Sequence, residues 1–324
     1  SMALLAGLSA PSLALAQKPA DLPDNYPTKP VRVVIGVVPG GGTDNLSRLV
    51  FGKLSDIWGS SFVSENVPGA DGMIAMEQVR RAKPDGYVLN FTSSSSYIRS
   101  AFVAKVDWDV RKEFTPIAPV SKSTLLLAAA NNQPFRNLRE LIAYAKANPG
   151  KLNFGASGVG GSPHLTAERI WHEAGIKLVH INYKGTGQAV VDVIAGRVPV
   201  IMGSVAALTP HVKSGKLILL GVTSGERVES VPDFHTISES GLPGFDYVGW
   251  FGIVGPGNMP PALVNGLNKA VMDILKMPDV KAAMLKGGAD QMYGTPEEFR
   301  KAILASLDRT ADVLKATGLD LREK

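Results

Sequence analysis

The sequence predicts an α/β fold of two similar halves that face each other across a cleft. Three observations carry this. A strand, a glycine turn and a helix follow one another at residue 31 and again at residue 151. The 324 residues suffice for two domains at roughly 150 residues each. An apolar content of 45% with 19% charged residues supports a large core rather than a disordered chain.

The first strand is residues 31–38, β-branched and apolar as a buried parallel strand requires. Pro39-Gly40-Gly41-Gly42-Thr43-Asp44 turns it into a helix carrying Leu46, Leu49, Val50, Leu54 and Ile57 on one face. Residues 61–67 read as a second strand, 72–82 as a helix and 87–91 as a third strand, completing a βαβαβ half with helices on both sheet faces. A second half begins near residue 123 with an apolar strand, and Asn137-Leu138-Arg139-Glu140 opens a helix as a capping box. The strand 151–154, a glycine turn over 155–162 and a helix from Pro163 follow, then strands at 178–183, 198–202 and 217–223. Residues 247–254 read as a strand returning to the first half. Two terminal helices start at Pro260-Pro261 and at the capping box Thr295-Pro296-Glu297-Glu298. The expected domains are therefore 26–122 with 248–324, and 123–247.

The N-terminus points to export. Ala3-Leu4-Leu5-Ala6-Gly7-Leu8 and the small-residue site Ala14-Leu15-Ala16 read as a remnant of a signal peptide over residues 1–16. No cysteine is present, which excludes a disulfide framework, a thiolate zinc site and a cysteine nucleophile. Lysine and arginine exceed aspartate and glutamate by 34 − 29 = 5 without any basic block, so nucleic acid is not the expected partner.

The glycine turns carry the chemistry. Each sits at the C-terminal end of a strand, where open α/β sheets bind ligands. Without Cβ atoms the backbone N–H groups can approach a ligand closely, and the helix behind adds partial positive charge. Alone, the first turn also fits an ordinary strand-to-helix connection with Thr43 or Asp44 as N-cap. The second, Gly155-Ala156-Ser157-Gly158-Val159-Gly160-Gly161-Ser162-Pro163-His164, offers Ser162 as N-cap and Pro163 at the first helical position. One turn per half suits two jaws closing on a carboxylate. Enzyme templates fail: the first turn lacks the Gly-Lys-Ser/Thr ending of a P-loop, and Val159 replaces the final glycine of a nucleophile elbow around Ser157. The five histidines show no metal-ligand spacing. No catalytic residue, metal or cofactor is expected. A serine hydrolase built on Ser157 and His164 is the alternative from another class. Two more stretches lie at strand ends: the hydroxyl row Thr92-Ser93-Ser94-Ser95-Ser96, and Tyr183-Lys184-Gly185-Thr186-Gly187.

From Tyr26 onward the chain resembles the TctC/Bug family, the solute receptors of tripartite tricarboxylate transporters in Gram-negative bacteria. The resemblance rests on Tyr26-Pro27-Thr28-Lys29-Pro30, the first glycine turn, Glu65-Asn66-Val67-Pro68-Gly69-Ala70 and Pro84-Asp85-Gly86-Tyr87. It continues through Tyr183-Lys184-Gly185, Gly215-Lys216-Leu217, Gly241-Leu242-Pro243-Gly244 and Trp250-Phe251-Gly252. It implies a type II periplasmic-binding-protein fold, a periplasmic monomer, and capture of a di-, tri- or aromatic carboxylate for a membrane permease; a receptor used only for sensing is the alternative within the family. It places the ligand grip on Gly40, Gly41, Thr43 and Asp44 in the first turn, and Val38 and Pro39 just before them are expected to line the site. In the second it falls on Ser157, Gly158, Gly161, Ser162 and His164. Ser93, Ser94 and Ser95, with Tyr183 and Gly203, complete the expected set. Two departures bear on the ligand. Val37-Val38 stand where an aromatic commonly precedes the turn, and Gly203-Ser204 where many members carry an Asp that meets a ligand amine. The resemblance therefore implies a plain carboxylate rather than an amino acid.

Overall fold

The computed structural model describes residues 19, 22, 23 and 25–321; the signal-peptide remnant expected over residues 1–16 lies outside them. The chain runs β1 (Val31–Ile35), α1 (Gly42–Trp58), β2 (Phe62–Asn66), a 3-10 turn (Ala70–Gly72), α2 (Met73–Arg80), β3 (Val88–Ser93), α3 (Ser94–Phe102) and β4 (Phe114–Ser123). It continues with β5 (Leu125–Ala130), α4 (Leu138–Ala147), β6 (Asn153–Ser157), α5 (Ser162–Glu173), β7 (Val179–Tyr183), α6 (Thr186–Ile194), β8 (Val200–Ser204), α7 (Val205–Lys213), β9 (Leu217–Val222) and α8 (Ile237–Ser240). β10 (Gly249–Pro256), α9 (Pro261–Leu275), α10 (Pro278–Lys286) and α11 (Pro296–Thr317) close it.

Two five-stranded sheets result, ordered β2-β1-β3-β10-β4 and β7-β6-β8-β5-β9. They share one plan. β1, β2 and β3 are mutually parallel, as are β6, β7 and β8. The fourth strand of each sheet, β10 or β5, runs antiparallel to both neighbours. Each is the strand that has just crossed from the other sheet. The crossings run side by side: Ser123 pairs with Gly249, and the Tyr247 N–H donates to the Thr223 carbonyl at 2.8 Å. Because both sheets follow one plan, the β1–α1 and β6–α5 turns occupy equivalent strand ends.

Alternation on the strands builds cores on both faces. Val33 and Ile35 join Phe51, Leu54 and Leu267 on one side of the first sheet, while Val34 joins Met76, Val79, Trp250 and Phe299 on the other. Two further clusters flank the second sheet. A fully buried side chain of this kind contributes about 1.5–3 kcal/mol. Leu165 of α5 packs in the Val34 cluster, with Val159 against it, so the second turn is anchored by apolar contact to the first sheet.

Three elements differ from the sequence reading. The serine row opens a helix that the sequence reading did not include: Ser93 is the N-cap of α3 and Ser94 its first residue, with Tyr97 and Ile98 buried. The strand β4 was not anticipated, and a third terminal helix, α10, starts at Pro278. The Asn137 cap forms, accepting the Glu140 N–H at 2.9 Å, but the Glu140 carboxylate reaches Arg136 N–H instead of closing the box. The Thr295–Glu298 box is complete.

Candidate functional site

The first turn is built by an anion of its own. Gly40 has φ +88°, a conformation glycine adopts without strain. Its N–H donates to Asp44 Oδ2 at 2.9 Å. Asp44 Oδ1 accepts from Arg48 Nε at 3.0 Å and from Asn66 Nδ2 at 2.9 Å. Asn66 also donates to the Val37 carbonyl and accepts from Arg48 Nη2 at 2.7 Å. Asp44 is thus a buried brace, the third residue of α1 reaching back around its start. Burial pushes its carboxyl pKa up, but the hydrogen bonds from Arg48, Gly40 and Asn66 outweigh that and hold it below the ordinary aspartate value. This corrects two expectations. Asp44 spends its carboxylate on the turn rather than presenting it to a ligand, and the N-cap is Gly41, not Thr43 or Asp44.

What remains is a cradle. Gly41 is extended at φ −80°, ψ 168°, and no side chain caps α1. The N–H groups of Gly41, Gly42 and Thr43 belong to the set that a helix start leaves without partners. A Cβ on Gly41 or Gly42 would meet nothing within 4 Å. Val38 is 64% exposed beside them, and Pro39 is exposed too. Donors without a partner among the described residues, open space and a 17-residue helix behind them suit an anionic oxygen.

The second turn has a different character, because four of its N–H donors are occupied. Gly158 N–H goes to the Tyr183 carbonyl at 3.1 Å and Gly161 N–H to the Gly158 carbonyl at 3.1 Å. Gly160 N–H goes to His164 Nδ1 at 3.1 Å, and Ser162 N–H to Ser95 Oγ at 2.9 Å. The N-cap of α5 is therefore Gly161, with Ser162 first and Pro163 second in the helix, a correction to the expected cap. His164 is also corrected. It is 1% exposed, stacked on Phe154 and on His180 at 4.0 Å, with Nε2 3.6 Å from Glu168 Oε1. It holds the turn from behind.

Helix α3 lies against this turn with residues four apart. Ser95 meets Gly161 and Ser162, Arg99 lies on Gly158, and Val103 on Gly160. Gly158 has φ +67°, and a Cβ there would overlap the buried Arg99 guanidinium. Gly158→Ala is expected to lower stability by about 1–2 kcal/mol from the left-handed backbone alone. Calorimetric melting of this variant and of Arg99→Ala/Gly158→Ala checks it, with the double variant recovering the part due to overlap.

Ser94 is buried between the halves, accepting from the Trp250 N–H at 3.3 Å and lying 3.4 Å from Ser162 Oγ. Ser93 and Ser157 stand half-buried at the ends of β3 and β6. Tyr183 turns away: its hydroxyl donates to Asp192 at 2.7 Å, and burial with that acidic partner pushes its pKa up to about 12. Gly203 is buried against Thr186, where a side chain would collide, so it admits the first turn of α6 rather than offering a contact. Lys184 is exposed beside that turn. Arg48 and Arg99 were not singled out from sequence, and Asn66 only within the Glu65–Ala70 stretch of the resemblance; the i, i+4 spacing of Asp44 and Arg48 was the available signal for one of them.

Other concavities lie apart. One of 270 Å³ between α5 and α11 and one of 720 Å³ beside the crossings are lined by no residue of either turn. Among the described residues no three His, Cys, Asp or Glu groups converge as a metal site needs, and no helix is long and apolar enough to cross a membrane.

The family model for the tripartite tricarboxylate transporter family receptor matches residues 46–319. Protein BugT of Bordetella pertussis is 30% identical over 319 residues, covering 98% of this chain and 95% of its own. An R. palustris protein solved with adipate superposes with a TM-score of 0.83 at 29% identity, covering 91% of this chain and 99% of that one. MatC from Rhodopseudomonas palustris with bound malate gives 0.78 at 27% identity, over 89% of this chain and 100% of its own. Two sheets of one plan, joined by paired crossings, are thus the fold of periplasmic binding proteins, and the chain belongs to the TctC/Bug family of tripartite tricarboxylate transporter receptors.

Proposed function

We propose that this protein is a periplasmic receptor that closes on a small carboxylate and delivers it to a tripartite permease. The observation that carries the proposal is the first turn: a helix start with no side-chain cap, open space around Gly41 and Gly42, and the neighbouring Asp44 charge already met by Arg48, Gly40 and Asn66. Charge-assisted hydrogen bonds of this kind contribute about 1.5–3 kcal/mol each. The adipate and malate found with structural relatives support the ligand class. In this reading residues 26–122 with 248–324 form one jaw and 123–247 the other, and the protein acts as an exported monomer. In this reading the ligand is bound and released unchanged, and His164, whose Nδ1 accepts the Gly160 N–H, serves the shape of the turn.

Titration calorimetry against adipate, malate, a tricarboxylate and an aromatic carboxylate tests this. At least one is expected to bind, with an affinity that falls as ionic strength rises. A natively folded protein that binds none would overturn it.

A further inference from the structure

The segment that follows α11 lies on the second turn, although the two belong to different halves of the chain. Gly318 ends α11 in the left-handed region at φ +65° and so turns the chain back. Leu319 and Leu321 then pack into the cluster built on Val34, where Leu321 is 5% exposed. A Cβ built on Gly160 would sit 3.1 Å from Leu321 Cδ1 and would collide with Val103 Cγ2 of α3. Gly160 has φ +70°, so glycine here serves both the backbone and the close approach of these two side chains. The second half gives that cluster Val159 and Leu165; its other members among the described residues come from the first half. Leu165, on α5, is 3% exposed inside a core that is otherwise the first half's.

We propose that this tail is a clasp: Leu321 and Val103 receive Gly160, Val159 and Leu165, and hold the halves together before any ligand arrives. The inference rests on the reading of the protein as a receptor with two jaws. Parting the halves at this seam exposes Leu165 and Val159 to water. Returning one such side chain to a core favours the closed arrangement about tenfold or more. The ligand then meets a cradle whose second jaw is already near, and its apparent affinity rises with the fraction of molecules closed. These side chains are all apolar. The clasp therefore sets how tightly any ligand is held, and not which ligand is chosen.

The chain has no cysteine, so spin labels at Asp56→Cys on α1 and Lys177→Cys just before β7 are site-specific. Both positions are exposed, and they adjoin the edge strands β2 and β7, opposite the crossings. The ligand-free labelled protein should show mainly a short distance between the labels. Leu321→Ala and Leu165→Ala should each shift it toward a longer one. Adipate should restore the short distance in both, binding about 3- to 10-fold more weakly than to the parent. Val159→Ser, at a half-buried position of the turn, gives the same readout where a core variant does not fold. Unchanged ligand-free distances in the folded variants would overturn the clasp, whatever adipate does. So would shifted distances with an unchanged adipate affinity. Shifted distances in a protein that binds no carboxylate would uphold the clasp and count against the receptor reading alone.

Discussion

Gly41→Val is expected to lower adipate affinity at least about 100-fold, as follows from losing two charge-assisted hydrogen bonds, while leaving the ligand-free fold almost unchanged. The asymmetry comes from where the new atoms go. Gly41 is extended at φ −80°, ψ 168°, a conformation that valine adopts freely, and its Cβ meets no protein atom within 4 Å. The space it fills is the open space at the start of α1, where the proposed ligand would lie. Valine is a poor N-cap, which costs about 1 kcal/mol or less relative to glycine. Gly40 offers the contrast: at φ +88° any side chain strains the turn itself, so Gly40→Val should lose stability and affinity together. Titration calorimetry paired with thermal melting separates the two cases. An unchanged dissociation constant in folded Gly41→Val would remove this turn from the site.

The parts of the molecule legible in the sequence are those set by near neighbours. The β-branched run at β1, the glycines after β1 and β6, and the Thr295–Glu298 box each follow from residues a few positions apart. What escaped depends on long-range partners. Ser95 and Ser162 are 67 positions apart, so nothing local shows that one consumes the donor of the other. The family resemblance placed His164 at the ligand, yet the stacking of Phe154 and His180 draws it into the core. Helix α3 was hidden because its first turn is serines, which favour caps and turns, and its apolar residues Tyr97 and Ile98 make no long periodic stripe. Gly203 illustrates a different limit: its neighbour is Thr186, brought there by the sheet.

Asp44→Asn sets two effects against each other, and their magnitudes decide the expected result. Removing a negative charge beside an anion cradle favours the ligand. Arg48, however, has a half-exposed side chain that water and salt screen, so the charge it regains is worth about 1 kcal/mol or less. The geometric loss is larger. Arg48 Nε–H and Asn66 Nδ2–H converge on one buried Asp44 oxygen while Gly40 N–H takes the other. A carboxylate accepts at both oxygens, whereas an amide must turn N–H donors toward one side, leaving buried donors unmet at about 1–3 kcal/mol. The turn loosens, and adipate affinity should fall about tenfold, corresponding to about 1.4 kcal/mol. The sign of the pH dependence follows from the depressed Asp44 pKa. A carboxylate with a folded pKa below its unfolded value stabilises the protein above the unfolded value, and loses that contribution as pH falls through the folded one. The stability gap between wild type and Asp44→Asn should therefore be flat from neutral pH down to about 5 and close below the ordinary aspartate value of about 4. Denaturant unfolding across that range, with calorimetry at two salt concentrations, checks both parts. Tighter adipate binding by Asp44→Asn, greatest at low salt, would show that charge outweighs the brace and that Arg48 belongs to the cradle.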